Sequence, residues 1–293
     1  MKFIVSFLIP FILLVGLVYV SVSAYAVYTV THPAPAVESI NPSSYFIDFK
    51  EFNYKTRDGL EWPVWLSAAK PSSPVILLCQ GYGESRSKLL GLADRLHGAG
   101  FSVVLPVLRG QSGAVRTPAT LGWMESEDLL ALAGELKLQK NLEVQKLGAW
   151  GINSSAFALL TASRKGLALK AAVLDTPFLA VQDYLDFRLK QYVAEKDVFP
   201  TWFAMCLFTS ILLRSPLDDP PMPDLKSWQN GPQLLIVSPQ NEKEPFRKSV
   251  AALTALPHAK SWKIAKTREE ELSGPMLDAY DQGVVQFFQQ VSW

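Results

Sequence analysis

Leu147-Gly148-Ala149-Trp150-Gly151-Ile152-Asn153-Ser154-Ser155-Ala156-Phe157-Ala158-Leu159-Leu160 is the stretch whose reading decides the fold. Residues 147–150 read as a buried strand, 151–155 as a tight turn, and 156–160 as the start of an apolar helix. Strand, sharp turn and helix together make a nucleophile elbow, with the pattern small-x-nucleophile-x-small. The small residues are needed because the two backbones nearly touch on either side of the apex. Gly151 and Ser155 satisfy that demand. The apex is Asn153, whose amide has no proton to lose and no nucleophilic lone pair. Asparagine does tolerate the positive φ such a turn imposes, so the shape can outlast the chemistry.

Working outward, short apolar strands alternate with helical patterns. Residues 45–52 and 61–67 read as strands joined at Asp58-Gly59, an opening hairpin. Residues 74–80 (P-V-I-L-L-C-Q) are apolar almost throughout, as in a strand buried on both faces of a parallel sheet. They lead into Gly81-Tyr82-Gly83. A helix over 85–97, a strand over 101–106, the loop Leu108-Arg109-Gly110-Gln111-Ser112-Gly113 and a helix over 125–138 come next. After the elbow come a strand over 171–175, an irregular portion at 179–230 containing an apolar helix over 201–213, a strand at 233–238, a short helix, a strand at 260–266, and a helix over 276–290. This alternation predicts an α/β fold: a mostly parallel sheet with helices on both faces.

These motifs, in this order, resemble the α/β-hydrolase superfamily, closest to its bacterial membrane-anchored branch related to serine aminopeptidases and monoacylglycerol lipases. The family's H-G-x-x-x loop stands here as Gln80-Gly81-Tyr82-Gly83-Glu84, and its D-x-R-G-x-G as Val107-Leu108-Arg109-Gly110-Gln111-Ser112. Its G-x-x-E-x-x-D is intact as Gly122, Glu125 and Asp128. The resemblance implies a triad in the order nucleophile, acid, histidine. The nucleophile position is Asn153; the acid position falls on Asn241; the histidine loop, Thr267-Arg268-Glu269-Glu270-Glu271, holds Arg268 and no histidine. An amide cannot balance the charge of an imidazolium, so the exchange at 241 alone would cripple a triad.

The chain has three histidines, and the predicted topology keeps each from Asn153. His32 belongs to the spacer; His97 and His258 precede strands and so lie at the opposite edge of the sheet from the site. Other candidates are weak. Ser154 reads as a helix cap, Glu269–Glu271 as a solvated run, Asp175 as a strand-end acid with no histidine to orient, and Cys79 as a buried strand residue. The resemblance further implies that Gln80, Gly81, Tyr82, Asn153 and Ser154 line the former oxyanion hole, where a small acyl or carboxylate group could still be held. Asn153-Ser154-Ser155 matches a glycosylation sequon, but an apex at a buried turn is a poor acceptor.

The N-terminus carries Lys2 and then no charge until Glu38. Residues 1–30 form a run long enough to cross a hydrocarbon core, which needs roughly 20 residues. Ala24-Tyr25-Ala26 resembles a signal-peptidase site, yet signal h-regions run to about 7–15 residues, so the length favours an uncleaved single-pass anchor. Lys2 places the N-terminus in the cytoplasm and the domain outside it, in the periplasm of a bacterium. Residues 31–44, rich in proline and serine, read as a linker, and 45–293 as one domain with a cap-like insertion at 179–230. A net charge of +1 with 19% charged residues gives no reason to expect nucleic acid. Cys79 and Cys206 show no metal-type spacing, and no cofactor is implied. The expected function is a membrane-anchored pseudoenzyme with a ligand-binding or membrane-protein interaction role. The alternatives are an active esterase, lipase or peptidase with unusual residues, and a structural subunit of a membrane complex.

Overall fold

A computed structural model describes residues 2–34, 38, 40, 42–45, 47–110, 117–192, 225, 231–242, 246–266, 268 and 272–293. The apolar run 201–213, Cys206, Gln111–Gly113 and Glu269–Glu271 lie outside the described residues, as does most of 179–230.

Eight strands form one sheet in the order β1-β2-β4-β3-β5-β6-β7-β8. They are β1 (Lys50–Lys55), β2 (Glu61–Ser67), β3 (Val75–Cys79), β4 (Ser102–Pro106), β5 (Leu147–Ile152), β6 (Ala171–Asp175), β7 (Gln233–Pro239) and β8 (Ala259–Ile264). β2 runs antiparallel to β1 and β4; all other pairs are parallel. The central strands β3 to β6 are buried along their whole length, because helices cover both faces. One layer of core, on the side of α3 (Trp123–Leu136) and α4 (Ser154–Arg164), packs on Leu77, Ala149 and Leu174. The other, on the side of α2 (Leu90–Gly98) and a C-terminal helix at Gly274–Gln289, packs on Ile76, Trp150 and Val173. Alternate residues of each strand serve opposite layers, as the pleat requires.

Most expected elements are present, with edges moved by one to three residues. Two expectations are corrected. The described residues of 45–49 are not strand: β1 begins at Lys50, and Tyr45 and Phe49 instead pack against the second core layer from outside the sheet. The expected helix at 85–97 begins as a 3-10 turn, Arg86–Leu89, capped by the Ser85 side chain on the Ser87 N–H, before α2 proper. A further helix, α5 (Val181–Tyr192), stands at the start of the portion read as irregular. α6 (Phe246–Thr254) and α7 (Gly274–Gln289) complete the chain.

The N-terminal helix α1 (Lys2–Thr31) has 30 residues. At 1.5 Å rise per residue it is about 45 Å long, half as long again as a hydrocarbon core of about 30 Å. Its apolar side chains from Phe7 to Val22 are exposed, while Ser23, Val27, Val30 and Thr31 are buried against the domain. Those four positions follow i, i+4, i+7, i+8 and form one stripe. Tyr25 and Tyr28 face the other way and are exposed.

Candidate functional site

The elbow is built as the small residues require. Asn153 has φ 51 and ψ −113, a conformation an ordinary side chain adopts only under constraint. Its N–H donates to the Asp175 carbonyl at 3.0 Å, and its carbonyl accepts from the Phe157 N–H at 3.1 Å. A Cβ on Gly151 would stand 3.0 Å from the Ala156 nitrogen, so strand and helix do nearly touch. Ser155 fastens the turn: its Oγ donates toward the carbonyls of Cys79 and Ile152 and accepts from the Ile152 N–H. Being small is only part of its use. Ser154 is not the cap; it is the first residue of α4, and Asn153 holds the cap position without a side-chain capping bond. The reason is that β5 runs to Ile152, two residues beyond the expected strand end.

Strain gathers around this edge. Leu121 (φ 55) and Thr176 (φ 46) join Asn153 at positive φ, and neither is a residue type that adopts it freely. Thr176 is held by its N–H on the Val237 carbonyl and by its Oγ1, which donates to Asp175 Oδ1 at 2.8 Å. Gly122 follows Leu121, and a Cβ there would meet the Ser154 carbonyl at 2.5 Å, so the start of α3 is pressed onto the start of α4. Glu125 secures that approach, accepting from the N–H groups of Thr120 at 2.7 Å and Gly122 at 2.8 Å. Burial raises its pKa above the usual carboxylate value. Below it, Arg109 makes bidentate bonds to Asp128 at 2.6 and 2.7 Å and reaches Asp58 at 3.1 Å. The glycine-containing Gly122/Glu125/Asp128 pattern therefore holds the loops that frame the elbow.

The overall fold is similar to that of solved structures. The Pyrococcus furiosus esterase Pf2001 superposes with a TM-score of 0.67 at 15% identity, over 89% of this chain and 98% of that one. Hypothetical protein PA2218 of Pseudomonas aeruginosa gives 0.58 at 14%, over 84% and 94%. A thermophilic esterase of Thermogutta terrifontis gives 0.55 at 16%, over 82% and 98%. The fold is that of the α/β-hydrolases. No protein-family profile matches the chain. Among curated proteins, the uncharacterized protein Rv2307c of Mycobacterium tuberculosis is 27% identical over 157 residues. The match covers 52% of each, so the chain spans about half the length of the curated relatives it matches.

In an α/β-hydrolase fold the triad would meet above Asn153, and each of its positions can be located. Asn153 is 2% exposed, at the apex. Asn241 follows β7 and is exposed. Arg268 lies at the carboxyl edge, ion-paired with Asp281 of α7 at 2.5 Å, with Nη2 donating to the Lys88 carbonyl at 3.2 Å. Its guanidinium stands 5.6 Å from the Trp150 ring and 5.5 Å from that of Tyr280. Asp175, fully buried at the end of β6, accepts from the Tyr280 hydroxyl at 2.6 Å, and that hydroxyl in turn accepts from Trp150 Nε1 at 2.9 Å. This linked polar group joins β5, β6 and α7 beside the apex. Sequence reasoning singled out Asp175 and missed Tyr280, which reads as one more core aromatic of an amphipathic helix.

His97 and His258 lie at the opposite edge. The His258 carbonyl accepts from the N–H of Leu234 at the start of β7, about 15 Å from that strand's carboxyl end at roughly 3.3 Å per residue. His97 contacts Ser67 at 3.2 Å, beside the start of β4. His32 does reach the carboxyl edge, which the spacer reading did not expect. Its ring, however, stacks on Tyr28 at 4.2 Å, on the side of α1 turned away from the domain. Cys79 is the last residue of β3 and fully buried, and burial pushes its thiol up to about 12.

A buried aromatic cluster lies at the start of α4, beside the elbow. Phe178 stacks on Phe157 at 5.0 Å and on Tyr184 at 4.4 Å, and Val27, Val30, Leu121, Leu185 and Phe246 complete the cluster. Gln80 and Gly81 sit beneath, with a Gly81 Cβ position only 3.0 Å from Ile152 Cγ2. The Tyr82 hydroxyl donates to the Val30 carbonyl, the Ala119 N–H donates to the Thr31 carbonyl at 2.7 Å, and the Arg188 guanidinium lies 4.5 Å over the Tyr82 ring. Of the residues that the resemblance implies for the former oxyanion hole, Tyr82 is engaged by the end of α1.

Proposed function

We propose that this chain is a membrane-anchored α/β-hydrolase-fold protein without hydrolase chemistry, working through interaction with other membrane components. The observation that carries this reading is the state of the carboxyl edge: an amide at the apex, an Arg268–Asp281 ion pair at the histidine loop, and the end of α1 packed with an aromatic cluster at the start of α4. A hydrolase needs a nucleophile and a base within hydrogen-bond reach, and no described group supplies that pair. Loss of a complete triad costs on the order of 10⁶ in turnover in serine hydrolases. The engagement of Tyr82 by the end of α1 favours a protein partner over a small acyl or carboxylate ligand. It equally favours the reading as a structural subunit of a membrane complex.

The anchor reading rests on the exposed apolar surface from Phe7 to Val22 and on a 25-residue span of mean hydropathy 2.4. With Lys2 as its flanking positive charge, the domain would stand outside the cytoplasm. The functional test is turnover of p-nitrophenyl esters and aminoacyl amides by the purified full-length chain. Rates indistinguishable from those of the Asn153→Gly variant are expected; a rate lost in that variant would overturn the reading. Resistance of the chain to alkaline carbonate extraction tests the anchor separately.

A further inference from the structure

The geometry points to the surface formed by Tyr82, Ala119, Leu121 and Phe157 beside the elbow being a docking site for this chain's own helix α1, one that mounts the sheet's carboxyl edge against the bilayer. This rests on the non-catalytic reading above, because it names the end of α1 as the partner of that same site. An anchor needs only to cross the membrane and release its domain on a flexible tether. Here the helix runs on past the roughly 20 residues a hydrocarbon core requires. Its last nine residues carry the buried stripe Ser23, Val27, Val30 and Thr31.

The contacts are of the kind a built site makes. Val27 and Val30 enter the cluster with Leu121, Phe157, Phe178 and Tyr184, at the top of the elbow helix. A helix end leaves its last carbonyls without intrahelical partners. Two of these, Val30 and Thr31, are met by the Tyr82 hydroxyl and the Ala119 N–H, from the loops after β3 and before α3. So the loop that would bind a substrate carbonyl in a hydrolase is engaged with a helix carbonyl. Leu121, strained at φ 55 and buried, lies against the same helix. The opposite face carries exposed Tyr25 and Tyr28, the residue type that settles at a membrane–water interface. Together these leave the loops of the carboxyl edge within a turn or two of the bilayer surface and the opposite edge facing away.

Disulfide trapping tests the docking in place. A Cβ on Gly83 would stand 3.5 Å from the Pro33 Cβ, within the disulfide range of about 3.5–4.5 Å. In the full-length chain carrying Cys79→Ala and Cys206→Ala, Pro33→Cys with Gly83→Cys in proteoliposomes should oxidise to a single intramolecular disulfide. Adding Val27→Asp and Val30→Asp should slow it about tenfold or more, since undocking lowers the effective concentration of the two thiols. A cooperatively melting pair that does not cross-link, or cross-links equally fast with both aspartates present, overturns the proposal. Gly83 has φ +69, which strains a cysteine, so a second measurement avoids it. A fluorophore at Asp183→Cys on α5 should be quenched by headgroup-labelled lipid severalfold more than one at Gln145→Cys at the opposite edge. Equal quenching overturns the mounting. Neither result depends on catalysis: a docked helix in a chain that turns over esters would refute the function proposed above and leave this inference standing.

Discussion

The Tyr280 hydroxyl stands between Asp175 Oδ2, to which it donates at 2.6 Å, and Trp150 Nε1, from which it accepts at 2.9 Å. That single group ties the end of β6 to β5 and α7, directly beside the apex residue Asn153. Asp175 and Tyr280 are both buried, so neither can trade this bond for water. Burial, then the neighbouring Asp175 charge, holds the phenol well above its ordinary pKa, so it stays a donor throughout the working pH range.

Tyr280→Phe should therefore destabilise the domain by about 2–6 kcal/mol, because a buried carboxylate and a buried indole each lose a partner at about 1–3 kcal/mol apiece. Urea unfolding followed by tryptophan fluorescence measures it. A loss below about 0.5 kcal/mol would show that the bond does not hold the edge together, since that is the scale of ordinary surface changes.

The apex backbone offers a second test. At φ 51 and ψ −113 Asn153 stores strain, of order 1–3 kcal/mol for such positions. Asn153→Gly should be neutral or mildly stabilising, and Asn153→Val should cost more than about 2 kcal/mol because a β-branched residue resists that φ. The two variants differ in sign only if the turn, and not the amide, is what the fold requires. Comparing their midpoints of thermal unfolding decides it.

The close approach at the elbow gives a third. A Cβ on Gly151 would meet Leu159 Cδ1 at 2.7 Å and backbone atoms of Ser155 and Ala156 at 3.0 Å. The leucine can turn aside; the backbone cannot. Gly151→Ala should cost about 1–3 kcal/mol, as overpacking does. Urea unfolding of the variant measures it, and a loss near zero would mean that strand and helix can part without penalty.

The Arg109 cluster carries the pH dependence. Asp128 is pushed up to about 6, with burial the largest cause, and the Arg109 hydrogen bonds and charge acting to lower it. Arg109→Met removes that lowering, so the folded-state pKa of Asp128 rises further above its value in the unfolded chain. Between those two values the folded state binds more protons, and stability grows as pH falls. The penalty of Arg109→Met, about 3–5 kcal/mol near neutrality as for a broken buried pair, should therefore shrink on going from pH 7 to pH 4.5. Urea unfolding at both values checks it; a penalty that grows on acidification would contradict the sign.

How far the sequence carries the fold depends on how distinct each pattern is. The strands β3, β5, β6 and β7 are short apolar runs bounded by turn residues, and buried strands leave that trace unmistakably. The stretch 45–49 misleads because alternating apolar residues satisfy a strand period, although Tyr45 and Phe49 here pack against the second core layer from outside the sheet. The elbow is legible from Gly151 and Ser155 alone. The docking of α1 is not, for a physical reason: the helix is apolar on all sides, so no periodicity separates the lipid-facing from the domain-facing stripe. Tyr82 is placed in the site by its motif, but its partner Val30 lies 52 residues away, and nothing local marks that pairing.

The central claim, a hydrolase fold without hydrolase chemistry, is tested most directly by reaction of the purified full-length chain with a fluorophosphonate probe, quantified by intact mass. No stoichiometric adduct is expected, in the wild-type chain or after Ser154→Ala. One adduct per chain in the wild type, abolished by Ser154→Ala, would contradict the claim outright.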